Sequence, residues 1–366
     1  MSIITIHSKI SDYFVSFCNA KERLENLCIS IPNRCFVIDS NVWEIYRDKL
    51  PVLQKEKVFP YKASEDSKTF ESVFQIYDFL LDNSVKRNTT IVVIGGGTTQ
   101  DIAGFAASTI FRGIEWIMFP TSYLAQADSC IGGKTSINYQ RYKNLVGTFA
   151  PPKEIWIDPE FNTTLPDLYY YSGLGEVAKL ALLQGEEGVS QFQVLLPDIR
   201  SRKKDAVLKS IQDSIRVKKD YIELDEFDKG KRQFLNYGHC FGHALETTSN
   251  YELPHGQAVL IGMALANIIS RKRGLLSPGS EARIYADVLR PCLFSQIKQD
   301  HYEPENVISA MAKDKKRTGA GLPLILLLDG YEMVKVDDLS PSEISEALVE
   351  YLERESLSSK RNFGKS

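Results

Sequence analysis

Only five histidines occur among 366 residues, and three of them, His239, His243 and His255, fall within seventeen positions. His239 and His243 are four apart in Gly-His-Cys-Phe-Gly-His, a spacing that puts both rings on one face of a helix. Imidazole nitrogen is a preferred ligand of zinc and its neighbours. Catalytic sites use three protein ligands with one position left open, and a carboxylate commonly joins two histidines. Spacing alone therefore names His239 and His243 as the ligand pair, against the alternative of helix-surface histidines that hold no metal. A third histidine close by, in a chain with so few, favours the metal.

Two further segments carry chemistry. Gly95-Gly96-Gly97 follows the apolar run Ile91–Ile94 and precedes Thr98-Thr99 and a helical pattern. Such a junction offers backbone N–H groups to a pyrophosphate. Gln100 stands in the place of the third glycine of the full dinucleotide fingerprint, so a tight structural turn is an equal reading. Gly132-Gly133-Lys134-Thr135 imitates a P-loop, but Asp128 occupies the position of its first glycine, which excludes ATP binding there. Lys134, Lys143, Lys179, Lys218, Arg232 and Lys315 stand out as cations, several of them among apolar or small residues. Lys179 lies three residues after Glu176 on the otherwise apolar stretch Gly173–Leu183, where a cation needs a partner or a ligand. An i,i+3 salt bridge to Glu176 is the simplest partner. Lys315-Lys316-Arg317 reads by composition as a solvated basic patch.

The elements that must position these groups fall into two textures. Cys35–Ile38, Ile91–Ile94, Trp116–Phe119 and Ile155–Ile157 are short runs closed by Asp, Gly or Pro and read as buried strands. Phe70–Leu81 and Ile102–Phe111 have helical spacing between them, and this alternation predicts a mostly parallel sheet. After Thr164-Leu165-Pro166 the pattern turns helical, over Leu174–Gln184, Asp205–Glu223, Gly242–Ser249 and Ala258–Arg273. One late strand-like run, Leu324–Leu328, stands alone. The reading is an α/β domain over 1–165, a mainly helical domain over 166–353 and a frayed polar tail over 354–366. No internal repeat is evident.

Composition bounds the function classes. A chain of this length accommodates roughly two domains of about 150 residues. Its 43% hydrophobic and 25% charged content, with 23 glycines and 15 prolines, argues against disordered, collagenous and low-complexity classes. The 44 basic residues nearly balance the 47 acidic ones, for a net charge of −3. So weak a net field gives no reason to expect binding of nucleic acid or an anionic membrane, and any anion must be met by a local cation cluster. Six cysteines without a C-x-x-C pair, no visible signal peptide and no apolar run near 18 residues point to reduced thiols in a soluble cytoplasmic protein.

Taken together, the segments resemble the 3-dehydroquinate synthase family and its sugar-phosphate cyclase relatives, from about Cys35 to Leu328. The stretches that carry the resemblance are Gly95-Gly96-Gly97 with Asp101, Pro120-Thr121-Ser122 with Asp128, and Gly132-Gly133-Lys134-Thr135 with Lys143-Asn144. Beyond them come Gly175-Glu176-Val177 with Lys179, Asn236-Tyr237-Gly238-His239 with Gly242-His243, and His255-Gly256.

The resemblance implies a Rossmann-like dinucleotide-binding domain followed by a helical metal-binding domain. It implies a divalent metal, zinc or cobalt, on Glu176, His239 and His255, which replaces the spacing-based pair and turns His243 toward substrate. NAD contacts are implied at Asp39, Glu65, Lys68, Gly95, Gly96, Gly97, Thr98, Asp101, Thr121, Ser122 and Lys143, and in the segment Phe161 to Thr164. Contacts to the phosphate, carboxylate and hydroxyls of an anionic sugar phosphate are implied at Arg112, Asp128, Lys134, Asn144, Lys179, Lys218, Arg232, Asn236, His243 and Lys315. In the family the arginine matching Arg112 reaches in from a second subunit, which implies a homodimer.

The implied reaction converts 3-deoxy-D-arabino-heptulosonate 7-phosphate to 3-dehydroquinate. A ring carbinol is oxidised by NAD, phosphate is eliminated, the hydride returns, and the opened ring recloses by an aldol step. A Lewis-acid metal, phosphate-holding cations and a phosphate oxygen placed as base suit that chemistry. Arg232 suits a bidentate carboxylate contact.

The chain departs from the family pattern at Gly175 and Leu180 (alanine and tyrosine are usual), at Tyr142 (glycine), at Gln257 (glutamate) and at Thr98-Thr99-Gln100 (Val-Ile-Gly). Tyr169 stands where some members have a glutamate near NAD. Cyclases of sedoheptulose 7-phosphate alter the Gly-Gly-Lys-Thr stretch and lose the histidine matching His243, and the 2-deoxy-scyllo-inosose type alters the same Gly-Gly-Lys segment. The aminodehydroquinate type keeps the site almost whole. A metal-dependent alcohol or glycerol dehydrogenase would share the fold and release NADH, and a non-catalytic binding module is the third class.

Overall fold

The computed structural model describes residues 3–140, 142–294, 298–318 and 322–363, without side chains at 299–300, 313–318 and 357–363. In chain order the elements are β1 (Ile3–Ile6), β2 (Tyr13–Phe17), α1 (Ala20–Ser30), β3 (Arg34–Asp39), α2 (Ser40–Tyr46), β4 (Val58–Tyr61), α3 (Phe70–Asp82), β5 (Thr90–Gly95), α4 (Gly97–Thr109), β6 (Trp116–Pro120), β7 (Lys134–Tyr139), β8 (Tyr142–Phe149) and β9 (Glu154–Ile157). There follow α5 (Asp167–Leu183), α6 (Glu186–Arg200), α7 (Lys204–Leu224), α8 (His239–Thr248), α9 (His255–Lys272), α10 (Pro278–Ile284), α11 (Pro304–Thr318), β10 (Leu324–Leu327), β11 (Met333–Val336) and α12 (Pro341–Phe363). Among the described residues no helix is long and apolar enough to cross a membrane.

The chain divides into two compact units, 1–165 with 207–228, and 166–206 with 229–366. The first carries a seven-stranded sheet in the order β1-β2-β9-β6-β5-β3-β4, parallel throughout except for the β1–β2 pair. Phe36, Ile38, Val92, Ile94, Ile117 and Phe119 from its central strands pack with Leu24, Leu27 and Phe161 in one core. Strands buried on both faces read as unbroken apolar runs, which is why these were visible in the sequence. Pro60 sits on the edge strand β4, where a missing N–H costs no interior ladder bond. Register places Ile94 beside both Ile38 and Phe119, so the carboxyl ends of β3, β5 and β6 lie side by side. That edge is where open α/β sheets bind ligands.

The second unit is helical. Its centre is α9, buried continuously from Gly256 to Ser270, with α5 buried nearly as completely from Tyr170 to Leu182. A helix apolar around its whole circumference belongs in a core. Glycines set how closely these helices approach. A Cβ on Gly175 would stand 2.2 Å from the Gly256 carbonyl oxygen, and one on Gly262 would stand 2.0 Å from that of Gly238.

Three expectations change. Residues 207–228, assigned to the helical domain, belong to the first unit, since the apolar face of α7 (Val207, Ile211, Ile215) is buried there. Leu324–Leu327 does not stand alone but pairs antiparallel with β11. Residues 354–363 are not frayed: α12 continues to Phe363, and Arg354 holds the buried Glu281 carboxylate through two N–H donors at 2.6 and 3.0 Å, while 364–366 of the expected tail lie outside the described residues.

Candidate metal centre and nucleotide-binding loop

In the helical unit, Glu176 comes from α5, His239 from the first turn of α8 and His255 from the first turn of α9. One donor atom from each lies within 4.8 Å of the others. Glu176 Oε1 is 3.4 Å from His255 Nε2 and 3.9 Å from His239 Nε2. The far side of each ring is occupied: His239 Nδ1 lies 3.2 Å from the Tyr237 carbonyl oxygen and His255 Nδ1 lies 3.2 Å from Glu246 Oε2. A proton held at Nδ1 by such acceptors leaves the Nε2 lone pair for a metal, the usual arrangement around ligating histidines. Glu246 was not foreseen, although its place three residues after His243 and seven after His239 puts it on the same helix face.

The electrostatics favour a dication. Glu176 is fully buried, and its Oε1 has no hydrogen-bond partner among the described residues while Oε2 ion-pairs with the equally buried Lys179. Burial alone would raise the Glu176 pKa, but the Lys179 ammonium and His255 hold it well below the usual carboxylate range. Burial, aided by Lys179, pushes His239 down, so its ring is neutral and able to ligate. Burial opposes a charge on His255 as well, yet Glu246 and Glu176 raise its pKa to about 10, so without a metal its Nε2 carries a proton toward Glu176, and a dication at that place would displace it. A buried carboxylate oxygen facing two imidazole Nε2 atoms is a donor set that an O/N-binding dication completes. The residues fit the implied metal.

The pair named by spacing is therefore corrected. His239 and His243 do share a face, with ring centroids 5.4 Å apart, but His243 is exposed and clusters with Glu246 and His255 instead of Glu176. Arg232 is buried and Asn236 exposed in the turn leading to α8. Lys315 lies on α11, and its side chain is outside the described residues.

In the α/β unit, Gly95 ends β5, and Gly96 caps α4 without a side-chain hydrogen bond, so backbone N–H groups of the first turn face outward from a helix thirteen residues long. Packing is tightest at Gly95, where a Cβ would meet Thr99 at 2.6 Å; one on Gly96 would meet Ser122 at 3.3 Å and one on Gly97 Ser129 at 3.2 Å, contacts that ask the serines to give by a few tenths of an ångström. Gln100, the departure from the fingerprint, is buried and exchanges hydrogen bonds with Ser129. Thr121 N donates to the Gly95 carbonyl at 2.9 Å, which sets Thr121 and Ser122 beside the loop, with the half-buried Thr98 on the first turn. The junction fits a pyrophosphate.

Other implied cofactor residues are spread along that edge. Asp39 ends β3 and accepts from Asn41 N at 2.8 Å, and burial raises its pKa. Lys68, buried, donates to Asp101 Oδ2 at 2.7 Å and to Asn144, with Glu65 Oε1 at 3.9 Å. Lys143 is half-buried on β8. Thr164 Oγ1 bonds the Tyr46 hydroxyl at 2.8 Å. The Phe161 ring packs edge-on against Tyr46 in the core, so its aromatic surface is committed to packing.

Two cations of this unit have carboxylate partners. Lys218 Nζ lies 2.7 Å from Asp128 Oδ1, and Lys134 Nζ lies 2.5 Å from Asp228 Oδ2. Asp128 belongs to one turn of π-helix, Ala125–Ser129, a form frequent at functional sites. Arg112 is exposed beyond α4, on three successive residues with positive φ: Phe111 (51°), Arg112 (66°) and Gly113 (111°).

With this geometry, the family models for the 3-dehydroquinate synthase N-terminal and C-terminal domains match residues 58–172 and 173–317. The chain belongs to the 3-dehydroquinate synthase family. It is 34% identical over 317 residues to 3-dehydroquinate synthase of Clostridium tetani, an alignment covering 86% of this chain and 84% of that one. Among solved structures, 2-epi-5-epi-valiolone synthase of Streptomyces hygroscopicus, with NAD+ and Zn2+ bound, superposes with a TM-score of 0.85 at 27% identity over 96% of this chain and 99% of that one. A 2-deoxy-scyllo-inosose synthase shares the fold, with a TM-score of 0.86 at 23% identity over 95% and 99% of the two chains.

Against the 3-dehydroquinate synthase pattern, two departures have local causes. Gly175 permits the approach to Gly256 that a methyl group would block. Gln257 is fully buried, donating to the carbonyls of Tyr171 (2.8 Å) and Cys292 (3.1 Å) and accepting from Phe294 N at 2.7 Å. Its role is to tie chain segments together.

Proposed function

We propose that this chain converts 3-deoxy-D-arabino-heptulosonate 7-phosphate to 3-dehydroquinate with release of phosphate, as a phosphorus–oxygen lyase using NAD and a zinc or cobalt ion. The observation that carries this reading is the buried Glu176 carboxylate oxygen, without a hydrogen-bond partner among the described residues and faced by the Nε2 atoms of His239 and His255. When bound, NAD supplies a hydride acceptor regenerated within each turnover, and the dication supplies Lewis acidity at the oxygen of the carbon being oxidised.

The residues of the chain bind and orient. Gly95, Gly96, Gly97 and Thr98 present backbone donors to the pyrophosphate, flanked by Asp39, Glu65, Lys68, Asp101, Thr121, Ser122, Lys143 and Thr164. Lys134, Lys218 and Arg232, with Lys179, Lys315 and Arg112, neutralise the phosphate and carboxylate, while Asp128, Asn144, Asn236 and His243 hold hydroxyls. Lys134 and Lys218 exchange their carboxylate partners for these substrate anions. Holding the phosphate rigidly places its own oxygen as the base for elimination, so positioning supplies much of the rate.

The exposed left-handed turn at Arg112 supports a homodimer in which this arginine serves the partner's site. Six free thiols support a cytoplasmic location. The substitution at Gln257 is absorbed by packing and does not argue for another substrate. The aminodehydroquinate analogue is the rival that the retained residues fit next best.

The test is phosphate release from the heptulosonate phosphate with catalytic NAD and zinc or cobalt, run beside its amino analogue and sedoheptulose 7-phosphate. Phosphate release exceeding the NAD present supports the reading. Stoichiometric NADH without phosphate would reassign the chain to dehydrogenase chemistry.

A further inference from the structure

The hairpin β7–β8 shifts register between Ile137 and Tyr139, so Asn138 sits at an irregularity of the ladder. Such a bulge re-aims a residue away from its pairing partner. Asn138 N donates to the Lys68 carbonyl at 2.7 Å, on a different segment altogether. Its side chain is used at both ends. Nδ2 donates to Glu65 O at 3.0 Å and to Glu65 Oε1 at 2.9 Å, while Oδ1 accepts from Asn144 N at 2.9 Å. The amide donates to a carboxylate from one atom and accepts from an N–H at the other, and the partners fix which way it points.

Asn144 is held from several sides. Its φ is +52°, the left-handed region that asparagine enters more readily than most side-chain-bearing residues. Its own Oδ1 accepts from Ser136 Oγ at 2.8 Å and from Lys68 Nζ, which also holds Asp101. The bonds close a circuit from Glu65 through Asn138 and Asn144 to Lys68 and back to the Glu65 segment. We infer that Asn138 is a positioning residue that joins the Glu65–Lys68 segment to Asn144, so that cofactor binding at the first holds the second in place for substrate. This rests on the assignment, made above, of Glu65 and Lys68 to NAD and of Asn144 to the sugar phosphate.

The test compares wild type with Asn138→Ala and Asn138→Asp in the full-length protein. NAD binding is read by calorimetry at pH 8 and pH 5.5, and KM and kcat are read at saturating NAD. Asn138→Ala weakens NAD binding and raises the sugar-phosphate KM by about tenfold each, through the loss of one charge-assisted bond and two neutral bonds, and kcat changes less. Asn138→Asp faces Glu65, with Lys68 close to Glu65, and two carboxylates at hydrogen-bond distance raise one another's pKa, so the pair shares a proton at pH 5.5 and repels once both ionise toward pH 8. Its NAD affinity is therefore weakest at pH 8 and returns toward wild type at pH 5.5, a trend absent from wild type and from Asn138→Ala. Adding Glu65→Gln to Asn138→Asp removes that pH dependence. An Asn138→Asp protein whose NAD affinity follows the wild-type pH profile would overturn the inference, as would an Asn138→Ala protein that melts earlier yet binds NAD and substrate normally. A wild-type protein that binds no NAD would overturn the cofactor assignment and this coupling with it.

Discussion

His255 is strung between two carboxylates, its Nε2 3.4 Å from Glu176 Oε1 and its Nδ1 3.2 Å from Glu246 Oε2. One carboxylate is a ligand candidate and the other orients the ring, a division of labour common around metal-binding imidazoles. The His243 ring lies against His255 with centroids 5.8 Å apart, but on the exposed side of the cluster.

From this follows a contrast between two histidines. His255→Ala loses bound metal, whereas His243→Ala keeps it and loses about 10²–10⁴-fold in kcat, the range of a general acid–base or orienting group. Elemental analysis of the purified variants, with phosphate-release assays, measures both. Metal retained in His255→Ala and absent from His243→Ala would restore the pair suggested by spacing.

Gly175→Ala drives a methyl group toward the Gly256 carbonyl oxygen, 2.2 Å away. Backbone cannot yield like a flexible side chain, so α5 and α9 must part, carrying Glu176 away from His255. The expected outcome is a stability loss of about 1–3 kcal/mol together with weaker metal binding. Denaturant melts and a chelator competition measure the two, and unchanged metal affinity would show that the helices can repack without moving the ligands.

Gln257→Glu restores the residue usual in the family but presents a carboxylate to the carbonyls of Tyr171 and Cys292. Burial raises the folded-state pKa of the new carboxyl above its unfolded value. The variant is therefore least destabilised below about pH 4.5 and loses stability as pH rises through the shifted pKa, by about 2–4 kcal/mol at pH 8. Thermal unfolding at pH 5 and pH 8 tests the sign. Equal losses at both would mean that the carbonyls had turned away.

Arg273 grips Glu343 through Nε at 2.6 Å and Nη2 at 2.9 Å, and this fork, with burial opposing it, lowers the Glu343 pKa to about 2. A depressed carboxylate contributes stability that is complete above the unfolded value near 4.5 and fades as pH falls toward 2. Glu343→Gln should cost about 1–2 kcal/mol at pH 7 for this partly exposed pair, and the gap to wild type should close between pH 4.5 and pH 2. Urea unfolding across that range measures it.

Much of the fold was legible because the central strands are apolar on both faces and end in Asp, Gly or Pro. β1, β2 and β4 were not, being strands of four or five residues at the sheet margins, and the β7–β8 hairpin carries polar residues at both strands' irregular end. The amphipathic pattern of α7 was plain, yet periodicity says nothing about which unit receives the apolar face. At the site, the residue types were legible and their grouping was not. His239 and His243 are neighbours along one helix, while Glu176 and His255 belong to two others.

The sequence by itself determined the chemistry available: three imidazoles, a carboxylate on an apolar helix, a triple glycine after a strand and a set of isolated cations. Only the tertiary structure decided which of them meet. Glycine contacts set how closely α5, α8 and α9 approach, buried acceptors turn the ring nitrogens, and a bulge aims Asn138 at Glu65. Each is a distance between segments remote in sequence, and side-chain spacing along one helix or strand does not encode such distances.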